Sequence, residues 1–499
     1  MPANSFTDER VIIPRWRSST ATASMGELAS LNAPLHRDDA REQELLAEKR
    51  HEWERRRSLA FASDLVGAAL LARDSEIARD AAEFVLLEPR VSEALQSAAH
   101  RVLGHAEPQL VVVPDELLKS RARDEIRMHK ARLRIEANDP LRWADQALAY
   151  SILGQMRQAQ RSMAIARHLA PENRFVVRSA VRLAIHHKEP DRGHDLLLRL
   201  SRTRHDPWLV AAEIAAASVA GRTSRLTKAA RSLSELGRFS PFALSEMRGA
   251  LATLEFESGA AKLARRLFTS SLENPTENAV AQGRWAATML PQLSSAVAEH
   301  AQLSAEARAW MCTAKRDWEA ALTNCWAWLA DEPFSSRPCV YASYLSAVAV
   351  DDPVAAAQFA EAGQRANPAE FNLLNNLCVA LASQGRVDEA RNHLEILSRI
   401  AHSEEHRMVL AATKGLVLYR SGTVDDGRRM YLEAIESARK ADPTRAALAL
   451  LFMAREEMAC TQKPMLAIVD AALDQSRAIT DPPIAAMRDR LQSRRSQLA

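Results

Sequence analysis

The chain has 499 residues, 47% hydrophobic and 26% charged. A single core stops growing near about 250–300 residues, so the chain is either several globular domains or one extended array. Its 66 Lys and Arg against 63 Asp and Glu leave a net charge of +3, too balanced to point to nucleic acid or an acidic membrane surface. Gly is scarce at 15 residues, and aromatics make up 5%. Ala, Leu, Arg and Glu dominate, which favours helices over Gly-turned strands.

The first residues lack the apolar stretch of a signal peptide. No apolar run nears the roughly 18–20 residues of a membrane span, so we expect a cytoplasmic protein. Residues 1–36 are Ser/Thr-rich and aperiodic, which reads as a flexible segment. Within them, Arg10 to Arg17 is an apolar-basic stretch: a disordered tail, an arm docked on the rest of the chain, or an arm for a partner. Residues 37–104 read as a helical module with one hairpin, in which the highly charged run Arg37 to Arg57 presents a solvated face. Residues 105–114 carry Pro108 and Pro114 around a short Val run and are expected to break the chain. A long helical array over 115–480 follows, and a last helix over 481–499, set off by Pro482 and Pro483, is expected to cap it.

The array is a repeat. Counted from Pro140 as position 1, Trp143 falls at 4, Ala147 at 8, Tyr150 at 11, Gly154 at 15, Ala159 at 20, Met163 at 24, Ala166 at 27 and Pro171 at 32. Positions 4, 8 and 11 share one stripe of a first helix. Gly154 supplies a left-handed stop, Ala159 allows a second helix to approach closely, and Pro171 ends that helix. The frame recurs with Leu374, Cys378, Leu381, Gly385, Ala390 and Leu394, and with Val340, Tyr344, Ala347, Ala356 and Ala360. It returns with Ala309, Arg316, Ala321 and Trp328, around Gly259, Ala264 and Phe268, around Gly422, Gly427 and Tyr431, and over Leu59 to Pro89. One unit has Lys188 where Gly is usual. On these positions the chain resembles the tetratricopeptide-repeat superfamily. The resemblance implies an all-α, right-handed superhelix of about ten helical hairpins, several of them degenerate.

It also implies a concave groove lined by positions 2, 5, 9, 12 and 13 of each first helix. That carries over to Phe175, Arg178, Arg182 and His186 in one unit, Tyr341 and Leu345 in another, and Asn372 and Asn375 in a third. Such a groove is partly apolar, with a basic spot at Arg178 and Arg182 suited to a peptide with apolar anchors and an acidic group. The Lys/Asn/Arg carboxylate clamp of co-chaperones is absent, since position 5 is Ala144, Arg178, Tyr341 and Asn375 in these units. Four tryptophans crowd one unit, and Trp318 and Trp326 are a candidate aromatic surface, although inter-repeat packing explains them as well.

Little in the sequence suggests chemistry. His402 and His406 fit an H-x-x-E-H spelling, but they sit at a junction between units without a third ligand. His186, His187, His194 and His205 cluster without Cys or paired carboxylates at ligand spacing and read as surface or groove residues. The five cysteines form no CxxC pair; Cys312, Cys325 and Cys378 fall on inward positions and read as core thiols. There is no dinucleotide, Walker or nucleophile-elbow motif. We therefore expect no catalytic, cofactor or metal site, no membrane partner, and a scaffold or adaptor that holds a partner protein or peptide. The resemblance extends to bacterial repeat proteins whose partner is a separately encoded enzyme such as a nuclease. The alternative is a helical-repeat RNA-binding accessory protein acting with such an enzyme.

Overall fold

The computed structural model describes residues 13–19, 39–72, 74–88, 91, 93–104 and 115–497, and no strand occurs among them. Asp39–Arg55 (α1), Leu59–Ala72 (α2), Arg79–Leu87 (α3) and Glu93–Leu103 (α4) bury Leu46, Trp53, Val66 and Val85 in a core made of their own residues. The break expected at 105–114 lies outside the described residues.

From Asp115–Leu133 (α5) the chain continues as antiparallel hairpins. The first five pair Pro140–Ile152 (α6) with Met156–Leu169 (α7), Arg174–His186 (α8) with Pro190–Arg199 (α9), Pro207–Val219 (α10) with Thr227–Glu235 (α11), Pro241–Glu257 (α12) with Ala261–Ser271 (α13), and Glu277–Ala287 (α14) with Ser294–Glu299 (α15). The next five pair Ala305–Ala314 (α16) with Trp318–Asp331 (α17), Arg337–Leu345 (α18) with Pro353–Gln364 (α19), Phe371–Ser383 (α20) with Val387–Ile400 (α21), Glu404–Arg420 (α22) with Val424–Ala441 (α23), and Pro443–Cys460 (α24) with Leu466–Ser476 (α25). Pro482–Ser496 (α26) ends the described chain. The fold is a tetratricopeptide-like helical solenoid, as the repeat frame predicts.

Local chemistry sets each hairpin. Eight of the ten first helices open on a side-chain cap: Asp139, Asn173, Asp206, Ser240, Thr276, Ser304, Ser403 and Asp442 all accept from backbone N–H groups of the first turn, which removes donors the helix cannot satisfy. The turn into the second helix takes a left-handed residue. Gly154, Gly221, Gly259, Gly385 and Gly422 supply it, and Lys188 (φ 62°), Arg316 (φ 59°) and Asp351 (φ 66°) adopt the same conformation despite their side chains. The geometry of the hairpin thus overrides the residue, at a cost of about 1–2 kcal/mol each. Ala147, Ala159, Ala264, Ala321, Ala356 and Ala390 are fully buried at the helix crossings. In the ninth hairpin Gly415 and Gly427 take those places, because a Cβ on either would strike Tyr431 or Tyr419.

Neighbouring hairpins cover each other's faces, and a continuous core runs from Ala305 to Leu491. The array also coils back on itself. Arg365 Nε, just past α19, donates to the Ile152 carbonyl at 2.8 Å across 213 residues, and its Nη1 pairs with Asp115. Lys188 Nζ reaches Glu370 at 2.8 Å. Phe334 and Ala366 accordingly share a core with Tyr150, Phe175 and Trp16. Helix α26 does more than cover the last hairpin. It buries Ile484, Met487 and Leu491, and it reaches back to the sixth and seventh hairpins through Asp489–Arg316 at 3.0 Å, Arg494–Asp351 at 3.0 Å and Arg490 on the Val348 and Ala349 carbonyls.

Lys188 is 79% exposed in its side chain and its pair with Glu370 is a surface one, worth little. Lys188→Gly is therefore expected to stabilise by up to about 1 kcal/mol, the relieved left-handed strain less the added chain entropy. Gly154→Ala should destabilise by more than about 1 kcal/mol, since its Cβ would meet the Arg365 carbonyl as well as an unfavourable φ. Thermal melts of both variants check this; equal shifts would contradict it.

Candidate functional site

The space between the first, fifth and sixth hairpins holds a piece of the same chain. Residues 13–19 run through it as a segment anchored at both ends. Asn278 Nδ2 donates to the Ile13 carbonyl at 2.9 Å. At the other end, the Ser19 N–H and hydroxyl donate to Asp145 at 2.7 and 2.6 Å. Between these anchors three side chains are read. Trp16 is 1% exposed and stands edge-on to Phe334, ring centroids 5.6 Å apart. Arg15 Nη2 donates to Glu306 at 3.0 Å, with Glu277 at 3.8 Å. Arg17 Nη2 lies 2.5 Å from Glu277 and 3.1 Å from Asp331. Of the readings open for the apolar-basic stretch, the described part is docked on the solenoid.

Five carboxylates, Asp145, Glu277, Glu306, Asp331 and Glu332, thus ring the segment. Two groove arginines answer part of that charge. Arg337 Nη2 meets Glu306 at 2.5 Å and its guanidinium lies 5.0 Å from the Trp328 ring centre. Arg182 lies 3.9 Å from Glu332 and 4.7 Å over Phe334. The protonation of the acids separates with their surroundings. Burial raises Glu277 to about 7 against the opposing pull of Arg15 and Arg17, with Asp331 and Glu332 adding to the rise. Burial also pushes Glu332 upward, but Arg15, Arg182 and Arg337 outweigh it and hold that carboxyl at about 2. Asp145 is lifted to about 6 by burial in spite of its bonds from Ser19. For Arg15, burial is outweighed by Glu332, Glu277 and Glu306, so its guanidinium stays charged.

The residues expected to line the groove are placed as follows. Arg178 and Arg182 are 2% and 6% exposed, and Arg178 Nη2 donates to Glu246 at 2.7 Å beneath Trp208. They are committed to buried ion pairs, because acids from α12 and the end of α17 reach them, and the surface around the segment is acidic instead of basic. Phe175 is buried in the core that receives Trp16. His186 is half-buried, edge-on to Phe334 at 5.3 Å, and burial beside Arg182, His187 and Lys188 drops it to about 3. Tyr341 stacks on Trp310 at 5.0 Å and donates to Thr313. Leu345 is fully buried, Asn372 is half-buried, and Asn375 accepts from Thr413 at 2.7 Å. Tyr341 and Asn375 thus bridge neighbouring hairpins. Trp318 and Trp326 are partly buried against the C-terminal core, Trp326 over Phe359 at 4.2 Å.

No cluster of metal-ligating side chains occurs among the described residues. His406 stacks on Phe371 at 3.9 Å. His194, expected at a surface or groove, is 2% exposed and bonded to Glu213 at 3.0 Å. Cys325 and Cys378 are buried and Cys312 half-buried. No helix among the described residues is long and apolar enough to cross a membrane.

The acids were the residues that repeat spacing left unnamed. Glu306 occupies position 5 of its unit, the same register that singles out Arg178, so that signal was available; Glu277, Asp331 and Glu332 lie at helix ends where the frame carries no weight.

No protein-family model and no curated protein matches the chain. Among solved structures it is similar to the yeast Tom70 crystal structure, at 12% identity over 88% of this chain and 96% of that one with a TM-score of 0.30. It is similar to the APC/C hetero-tetramer Cut9-Hcn1, at 12% identity over 98% and 99% with a TM-score of 0.38. It is also similar to the human IFIT1 dimer with PPP-AAAA, at 12% identity over 96% and 99% with a TM-score of 0.32.

Glu332→Gln tests the buried charge cluster. A carboxyl held below its usual value adds stability at pH above about 4.5 and loses it as pH falls toward 2. The variant should lose on the order of 3 kcal/mol near neutral pH, and the gap in Tm to the wild type should narrow as pH falls from about 4.5 toward about 2. A gap independent of pH would show that Glu332 acts through shape alone.

Proposed function

We propose that this protein is a non-enzymatic scaffold or adaptor that binds a partner protein or peptide on the concave side of its solenoid. One observation carries the reading: that side already holds an extended peptide, residues 13–19, by side chains drawn from hairpins far apart in sequence. Coiling brings those hairpins together around one strip of backbone, which is what recognition of a linear segment needs. Among the described residues, the buried Arg174, Arg178, Glu213, Glu246, Glu456 and Glu457 pair with groups of neighbouring helices, which explains them as supports of the array. The RNA-binding alternative fits the groove poorly, because five carboxylates around the segment oppose phosphate.

The test is affinity capture with the full chain in its native host, followed by binding of each purified candidate. One protein that binds the purified chain reproducibly at micromolar Kd or tighter is the expected result. Failure of every candidate to bind directly, or tight RNA binding that falls steeply with salt, would overturn the reading. Arg178→Glu and Arg182→Glu are unsuitable probes of the groove. Each places like charges against Glu246 or Glu332 in a buried site, and is expected to unfold the array by about 3–5 kcal/mol.

A further inference from the structure

We propose that the acidic pocket around residues 13–19 is a recognition site for an extended arginine–tryptophan–arginine segment of a partner protein, which enters by displacing the chain's own arm. The proposal rests on the scaffold reading above and names the chemistry of its ligand.

The pocket is built for that chemistry whether or not the arm is in it. Arg337 and Arg182 serve Glu306 and Glu332 from within the groove. Glu277, in contrast, pairs with Arg15 and Arg17 of the arm, and Asp331 with Arg17. With the arm out, two acids stand close together with no guanidinium between them. Two carboxyls so placed form ion pairs with cations spaced as Arg15 and Arg17 are. An alternating pair of this kind, with one residue between, puts both guanidiniums on one side of an extended strand and the intervening side chain on the other. The intervening residue is Trp16, and Phe334, Tyr150 and Phe175 provide its slot. Asn278 and Asp145 bind backbone at Ile13 and Ser19. Apart from the Ser19 hydroxyl on Asp145, they fix register through the backbone, so a segment with the same central triplet meets the same backbone anchors.

Apart from the buried Trp16, the described part of the arm is held by ion pairs and hydrogen bonds. Pairs of that kind give specificity more than net affinity, since desolvating both charges offsets most of their attraction. A tethered arm competes at an effective concentration on the order of millimolar. If the free segment binds near 10 μM, an order-of-magnitude assumption, the tether weakens a partner about 100-fold. The arm then acts as a gate that only a partner with further contacts overcomes.

The probe is a fluorescein-labelled synthetic peptide with the sequence of residues 9–20, titrated by anisotropy. The full chain carrying Arg15→Ala, Trp16→Ala and Arg17→Ala, shown folded by circular dichroism, should bind it about 100-fold more tightly than wild type. Adding Glu277→Gln and Glu306→Gln to that variant should abolish binding, as should Trp→Ala in the peptide. A folded triple variant that ignores the peptide, or binds it no better than wild type does, overturns the proposal. Should the triple variant not fold, the same peptide with benzoylphenylalanine for Trp is cross-linked to wild type in excess. Adducts in the α8 and 332–334 regions support exchange, and adducts elsewhere or none overturn it. A partner captured under the scaffold test whose binding survives Glu277→Gln with Glu306→Gln leaves the scaffold reading intact and removes this one.

Discussion

A pair of antiparallel helices of this length has two apolar faces and can cover only one of them internally. Everything else in the molecule answers that deficit. Each hairpin hides its second face on the next, so the core is a strip instead of a ball, and chain length adds hairpins without thickening the core. Small residues at the crossings, Ala147 against Ala159 and Gly415 against Gly427, set how near the helices come. That separation, repeated, curves the strip. Because the curve is tight enough for Arg365 to reach the Ile152 carbonyl, the first and seventh hairpins become neighbours and the concave side becomes a pocket.

Inside that pocket, burial and charge act against each other, and geometry decides the outcome acid by acid. Glu332 faces three guanidiniums and remains ionised well into acid. Glu277, with two guanidiniums but two like-charged neighbours, is poised near neutral pH. The two carboxyls belong to one cluster, and their opposite behaviour reflects the cations and like charges around each and, for Glu332, the Trp328 hydrogen bond. It also means that the cluster holds its full negative charge only when cations are supplied from outside the ring of acids.

The fold was legible in the sequence because its determinants are local. Position 15 announces a left-handed turn, Pro and Asp or Ser announce helix starts, and Ala at 8 and 20 announces a close crossing. Even where Lys188, Arg316 and Asp351 break the spelling, the surrounding frame carries the turn. The pocket was not legible for the converse reason. Arg15 meets Glu306 across 291 residues, and Arg178 meets Glu246 across 68. No spacing rule reports such pairs. Reading position 5 and position 9 as exposed made Arg178 and Arg182 a basic spot, whereas the coiling brings acids onto them. A Ser/Thr-rich setting likewise hid a stretch whose Pro-Arg-Trp-Arg core has a fixed seat.

Residues 13–19 and helix α26 both pack back onto the array, and they do so by different physics. Helix α26 buries Ile484, Met487 and Leu491 in the large C-terminal core. Apolar side chains so buried are worth about 1.5–3 kcal/mol each, and salt does not screen that gain. The described part of the arm buries one indole, and its remaining contacts are hydrogen bonds at Ile13 and Ser19 and carboxylate–guanidinium pairs whose net value is small once desolvation is counted. The first arrangement makes α26 a permanent strap that fixes the curvature of hairpins six to ten. The second makes the arm a ligand that happens to be covalently attached: specific in its register, supported by charge, and exchangeable for a segment that offers the same charges in the same order.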